Sequence, residues 1–378
     1  MTEPVRAQYE GYPYPHRDPK DEAKRLVTGS PSHLREIEHY LFDGRLPKER
    51  PFKVLIAGGG TGDGLIMLAQ QLTDAGVKAE ITYLDLSEAA RAIAAARAEA
   101  RGLGAIRFLT GSLRDLAELA PGPYHYIDCC GVLHHLDAPD AGLKTLAAQL
   151  APEGGMGLMV YGALGRTGVY PVQEMLRQIA PAAAAGGPPD AARLRLARRL
   201  LAALPATNWL RRNPLIADHL RGDDAGLFDL LLHAADRPFS VPELAALVDG
   251  AGLAITGFIE PARYDPASYL SDPALMKPLA GLDGLHRAAF AERLAGNMKT
   301  HVCYVAPKAR AADVVARPDG PDAVPVFREL DGPTLAKGLT PGRPLMVEDA
   351  GIRFRFPLPR LAAAIAQRID GTRSLADI

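Results

Sequence analysis

The run Val54-Leu55-Ile56-Ala57 passes directly into Gly58-Gly59-Gly60-Thr61-Gly62-Asp63-Gly64, and an apolar helical stretch from Leu65 to Leu72 follows. No other segment constrains the fold as strongly. A short continuous apolar run that breaks into glycines reads as a strand buried on both faces. Glycine lacks a Cβ and tolerates positive φ, so such a turn lets backbone approach a ligand closely. The next strand-like run, Glu80-Ile81-Thr82-Tyr83-Leu84-Asp85, ends in an acid about twenty residues further on, where a ribose presents its hydroxyls. The front of the chain is therefore expected to bind a nucleoside-containing cofactor.

From Val54 onward strand-like and helix-like runs alternate. Strands are expected near 53–58, 80–85, 105–109, 125–130 and 155–161, with helices between them, including the alanine-rich Ser87 to Arg101. That alternation predicts an α/β, doubly wound sheet with ligand at the carboxyl ends of the strands. Glycine spacing narrows the cofactor. A dinucleotide site wants G-x-G-x-x-G, and Asp63 stands where the third glycine belongs. A phosphate loop wants a Lys-Ser/Thr pair after its glycines, and none follows.

The strand followed by G-x-G-x-G resembles motif I of the class I S-adenosylmethionine-dependent methyltransferases. Further matches follow in the order of that family. Leu84-Asp85-Leu86-Ser87 looks like its D-L-S step after strand two. Phe108-Leu109-Thr110-Gly111-Ser112-Leu113 looks like the segment that lies along the adenine. Tyr126-Ile127-Asp128-Cys129-Cys130-Gly131-Val132-Leu133-His134-His135-Leu136 resembles the fourth-strand signature ending V-L-H-H-L. Leu150-Ala151-Pro152-Glu153-Gly154-Gly155, followed by Met156 to Tyr161, resembles the turn into strand five. The resemblance implies a seven-stranded Rossmann-like sheet and S-adenosyl-L-methionine as cofactor, with S-adenosyl-L-homocysteine as product. It implies cofactor contacts from Gly58, Gly59, Gly60, Thr61, Gly62, Asp85, Leu86, Gly111, Ser112, Leu113, Cys129, Cys130 and His134. Asp85 would hold the ribose. Asp128 would orient or deprotonate a nucleophile, or help hold the cofactor.

Three positions depart from the family pattern. Ile56 replaces the acid that many members carry two residues before Gly58, so the ammonium at the methionine end needs another partner. Ser112 replaces the adenine-segment acid, and His125 stands in place of the aspartate in the fourth strand.

Residues 1–50 precede the sheet and read as a strap. Tyr9 to Pro19 is dense in aromatics and too rich in proline for a helix. Tyr12, Tyr14 and Arg17 form an aromatic-basic patch; aromatic faces suit a sulfonium cation, and family members often fold an N-terminal segment over the cofactor. The core is expected over 51–162. Residues 163–239 read as a helical insertion, interrupted by the loop Ala182 to Pro189, in the position that commonly shapes the substrate pocket. Arg166 and Tyr170, just after strand five, are candidate substrate contacts. Ser240-Val241-Pro242-Glu243 has the form of a capping box, and Leu253–Ile259 and Thr300–Val305 supply strands six and seven within 240–307. Residues 308–325 have a linker's composition. Residues 326–378 form a small α+β module, with a strand at Gly351–Phe356 and a helix from Pro359 to Ile369. Its last segment, Asp370 to Ile378, resembles the end of PqqD-like winged-helix peptide-binding modules.

Composition bounds the rest. The chain has 378 residues, with 43 basic and 44 acidic side chains. Near-cancelling charge gives no whole-chain field for nucleic acid, and Arg193, Arg195, Arg198 and Arg199 read as a solvated helix face. Three cysteines, two of them adjacent, exclude a disulfide framework and suit a reducing cytoplasm. No apolar run reaches the length of a membrane span, and the start lacks a signal peptide's apolar core. His134-His135 alone makes no metal site, because adjacent histidines rarely ligate one ion. The expected function is methyl transfer to a small molecule or peptide. A non-catalytic cofactor- or peptide-binding scaffold and an RNA methyltransferase are the alternatives, and a nicotinamide oxidoreductase is disfavoured by the glycine spacing.

Overall fold

The structure is a computed structural model that describes residues 3–47, 50–182, 190–220 and 224–378. Most of the expected loop Ala182–Pro189 lies outside the described residues. Seven strands form one sheet: β1 (Phe52–Ala57), β2 (Ala79–Asp85), β3 (Ile106–Thr110), β4 (Tyr124–Cys130), β5 (Leu150–Tyr161), β6 (Leu253–Phe258) and β7 (Thr300–Pro307). Their order is β3-β2-β1-β4-β5-β7-β6, with β7 antiparallel to both neighbours. This is the doubly wound, Rossmann-like methyltransferase sheet that the sequence implied. The order reverses between β1 and β4, and such a switch point opens a crevice at the carboxyl ends of the strands.

Four helices position the site: α1 (Glu3–Gly11), α2 (Leu34–Leu41), α3 (Asp63–Asp74) and α4 (Glu88–Ala100). The segment Tyr9–Pro19 was expected to be free of helix, but its first three residues complete α1, which stops ahead of Pro13. Proline restricts the residue before it, so it ends a helix rather than forbidding one upstream. Helix α2 has no counterpart in the sequence expectation. It buries Leu34, Ile37 and Leu41 among side chains of the sheet, so part of the N-terminal segment belongs to the core. Strand β5 begins at Leu150, and the pairing slips between Tyr124 and Tyr126. The expected turn Leu150–Gly155 is therefore an irregularity inside a strand.

The insertion builds its own apolar cluster from Val169, Val172, Leu176, Leu194, Leu227, Phe228 and Leu230. Arg195, Arg198 and Arg199 are exposed as expected, but Arg193 is buried there, donating to the Ala180 and Leu232 carbonyls. The capping box at Ser240 and Glu243 is present. The stretch 308–325, linker-like by composition, lies on the body. Val314 is buried, its carbonyl accepts from Asp43 N at 2.8 Å, and Ala316 N donates to the His39 carbonyl at 2.7 Å. Beyond it, the helices Gly332–Gly338 and Ala362–Arg368 pack together beside a hairpin of β8 (Leu345–Asp349) and β9 (Ile352–Phe356). Arg328 pairs with the buried Glu36, and Arg263 pairs with Asp349, fastening this part to the body.

Candidate active site

The floor of the crevice is the turn after β1. Gly58, Gly60 and Gly62 have φ of +73°, +52° and +98°, the left-handed region that glycine enters without strain. A Cβ at Gly58 would lie 2.4 Å from a Val132 methyl, and one at Gly59 2.3 Å from the Tyr83 ring, so the turn is packed as tightly from behind as it is open in front. Asp85, at the end of β2, accepts from Gly60 N at 2.7 Å and from Ser87 N at 2.9 Å. Burial raises its pKa, and those backbone donors oppose the rise. A carboxylate offers about four acceptor sites. Asp85 thus braces the glycine turn and keeps lone pairs for hydroxyl groups in the cavity.

The roof comes from residues 9–17. Thr61 Oγ1 donates to the Pro15 carbonyl at 2.8 Å, and Arg17 meets Asp63 with two bonds, of 2.8 and 2.5 Å. Arg97, fully buried, holds Asp63, Glu22 and the Thr61 carbonyl together. Burial pushes Asp63 up, but the two guanidinium groups outweigh it and hold the carboxyl below its usual range. Glu10 accepts from Glu88 N and Ala89 N, closing the first turn of α4. Between roof and floor lies a cavity of about 230 Å³. It runs from Asp85 and Leu86 at β2, past residues 58–64, to Asp128 and Cys130 at β4, and on to Met159 and Tyr161 at β5.

Asp128 is buried and accepts from Ser32 Oγ and from Cys130 N, the latter at 3.2 Å. Desolvation pushes its pKa up to about 6 against those two bonds, because no cation sits beside it. It lies in register with Ile56 on the neighbouring strand. At the β5 end, the Tyr9 hydroxyl donates to Asp229 Oδ1 and the Tyr161 hydroxyl to Asp229 Oδ2, both at 3.2 Å. His233 Nδ1 accepts from Ala235 N at 3.0 Å, so in the neutral ring the proton is on Nε2, which lies 3.1 Å from the Tyr9 hydroxyl. Burial keeps His233 neutral, far below the usual histidine pKa. His135 Nδ1 lies 2.9 Å from the Ala235 carbonyl, which can only accept, so that nitrogen carries hydrogen.

His135, Asp229 and His233 bring potential metal-ligand atoms within 4.8 Å of one another. The hydrogen bonds assign those atoms otherwise. His233 Nε2 is a donor, which leaves one imidazole lone pair, on His135, beside one carboxylate. Structural and catalytic zinc sites take three or four protein ligands.

Of the expected cofactor residues, Gly58, Gly59, Gly60, Thr61, Gly62, Asp85, Leu86 and Cys130 line the cavity, as do Asp128 and Tyr14. The others do not border it. Ser112 caps the short 3-10 turn Leu113–Asp115, Leu113 and Cys129 lie in the core, and Gly111 N bonds to the Asp85 carbonyl. His134 is buried one layer back, stacked on Tyr161 with ring centroids 3.8 Å apart. Arg166 also backs Tyr161, its guanidinium 3.7 Å from the ring centroid, and it bonds to Tyr170 and Asp236. Tyr12 stacks on Phe228 of the insertion, and Arg17 serves the roof. The sequence reading passed over Tyr9, His135, Asp229 and His233 as site residues. One signal was available: Asp229 is the lone acid in Leu227-Phe228-Asp229-Leu230-Leu231-Leu232, with a histidine four residues on.

Residues 55–156 match the family profile described as a methyltransferase domain. An uncharacterised protein from a Synechococcus strain is 32% identical over 273 residues, which span 70% of this chain and 62% of that protein. The solved structure of PKMT2 from Rickettsia typhi superposes with a TM-score of 0.56 at 20% identity, covering 74% of this chain and 53% of that one. Its complex with AdoHcy gives a TM-score of 0.56 at 19% identity. The chain thus spans less than two thirds of the length of these relatives. Residues 55–156 match a methyltransferase domain, and the chain shares its fold with the PKMT2 structures.

Proposed function

We propose that the protein transfers a methyl group from S-adenosylmethionine to a nucleophile admitted over the end of β5. The observation that carries this reading is the single cavity that joins Asp85 to Tyr161 and Asp229 beneath a common roof. The residues present suit the cofactor. Asp85 has acceptor capacity left for ribose hydroxyls, and the glycine turn leaves room for close approach. Asp128, a buried acid with no cation of its own, stands beside Ile56, where the family's usual acid is missing. We assign Asp128 to the ammonium group at the methionine end rather than to proton removal, because its carboxylate faces Gly64 and Ser32 on the floor side. When bound, the cofactor supplies an electrophilic methyl group on a sulfonium. The protein contributes alignment and exclusion of water, through the roof Tyr14–Arg17 and the wall Met159–Tyr161.

The acceptor is a small molecule or a peptide. Arg166 and Tyr170 act on it only through Tyr161, which they hold in place. The test is calorimetry with S-adenosylmethionine and S-adenosylhomocysteine, followed by mass spectrometry of candidate acceptors for one added CH2. Absence of binding by both nucleosides removes the reading. The same experiment separates an enzyme from a scaffold, since a scaffold binds without releasing S-adenosylhomocysteine.

A further inference from the structure

At the β5 end of the cavity one imidazole that borders it, that of His135, keeps a ring nitrogen without a partner among the described residues. Both oxygens of Asp229 take phenol hydrogens. The Tyr161 and Tyr9 phenols are half-buried and held neutral, with pKa values pushed far up by desolvation. His233 presents a donor to Tyr9 and is turned away behind it. His134 has neither ring nitrogen bonded, but it is sealed off from the cavity. His135 is different. Its Nδ1–H is fixed on the Ala235 carbonyl, so Nε2 carries a lone pair, and no group among the described residues takes it. The ring borders the cavity and is held in one orientation by stacking on His233, centroids 3.9 Å apart, with Tyr161 edge-on at 5.6 Å. A donor fixed on one nitrogen and an open lone pair on the other is the arrangement that makes an imidazole a directed base.

Resting on the methyl-transfer reading, we infer that His135 Nε2 is the proton acceptor for a protic substrate, an alcohol, phenol or ammonium. The substrate's O–H or N–H bond breaks, its proton goes to Nε2, and the electron pair stays on the heteroatom, which thereby becomes the nucleophile. The resulting imidazolium keeps its Nδ1–H bond to Ala235 and lies beside the Asp229 carboxylate, whose charge the two tyrosines orient. Tyr9 and His233 are positioning residues in this scheme. Acceptors without a removable proton, such as a thioether, gain nothing from it.

Sinefungin, the cofactor analogue with an amine in place of the methylated sulfonium, places an N–H donor where the methyl group would be. Calorimetry should find it bound about tenfold more tightly than S-adenosylhomocysteine, the value of one hydrogen bond from a charged donor. His135→Asn keeps an amide N–H for Ala235 and deletes Nε2, so the ratio should fall to about one. Asp85→Ala should weaken both ligands and leave the ratio intact. Should His135→Asn fail to fold, imidazole 15N NMR of the unaltered protein supplies the test. His135 should be the Nδ1–H tautomer, with Nε2 shifted by sinefungin and not by S-adenosylhomocysteine. An Nε2–H tautomer, a ratio of one in the unaltered protein, or a ratio that survives His135→Asn overturns the inference while the cofactor reading stands. If neither ligand binds, both fall.

Discussion

The wall proposed for the cofactor is drawn from two short stretches of chain, residues 58–64 and 85–86, and its working surface is largely backbone. The wall proposed for the acceptor takes Tyr9, His135, Tyr161 and Asp229 from distant parts of the sequence, with His233 behind Tyr9, and its working surface is side chain. The first wall is fixed by where a Cβ is impossible; the second is fixed by a hydrogen-bond network among buried polar groups. Conformation at glycine is local and written in neighbouring residues. A buried network is cooperative and non-local, and removing one member strands the others.

That contrast can be broken most directly at Gly58. Gly58→Val combines a φ of +73° with a clash at Val132, and should cost about 3 kcal/mol or more in stability and abolish cofactor binding. Thermal unfolding and calorimetry read both; a well-folded, binding-competent variant would mean that the floor is not set by backbone. Asp85→Ala should weaken S-adenosylmethionine by about 1.5–3 kcal/mol, since a charged acceptor is lost from ribose and turn alike. Unchanged affinity would remove β2 from the cofactor wall. On the other wall, Tyr9→Phe leaves Asp229 and His233 without their shared partner and should lower stability by about 1–2 kcal/mol. Its effect on S-adenosylhomocysteine affinity should be the smaller one; a reversed ranking would merge the two walls into one unit.

Asp128 sharpens the comparison through pH. Its folded pKa, about 6, lies above the usual aspartate range, so the folded state holds the proton longer. Its contribution to stability therefore falls as pH rises from about 4 to 6 and is flat beyond. Binding an ammonium favours the carboxylate, so S-adenosylhomocysteine affinity should climb as pH rises through about 6, and Asp128→Asn should flatten that limb. A pH-independent affinity in the unaltered protein would place the ammonium elsewhere. The smallest effect is expected at Arg17→Ala. The pair with Asp63 is about a third exposed (30% and 31%), and such bridges contribute roughly 0.5 kcal/mol. A melting-temperature loss as large as that of Tyr9→Phe would show the roof to be part of the core.

The same division explains what was legible in the sequence. The sheet, its strand limits within a few residues and the glycine turn follow from apolar runs and breakers, all local signals. The expected contacts at Ser112 and Leu113 came from resemblance alone, and here Ser112 caps a turn while Leu113 faces the core. Helix α1 was hidden by the proline-rich stretch that follows it, and α2 by its short length. His135 was read together with His134 as a turn pair, because nothing in adjacent residues separates an imidazole facing a cavity from one facing the core. Asp229 acquires its meaning only when the insertion folds back against Tyr9 and Tyr161. Residues 308–325 look like a tether because the contacts that hold them, from Asp43 and His39, lie in another part of the chain.

The roof is tied at both ends by unequal means. At Tyr9 the tie is a hydrogen bond from an uncharged phenol to the buried Asp229; at Arg17 it is an ion pair open to solvent ions. The part of the cavity that runs from Asp85 to Asp128 lies beneath the roof that both ties hold. Dissolved ions reach the Arg17 pair and weaken it, and they leave the bond at Tyr9 unchanged, so the roof is salt-sensitive at one end only.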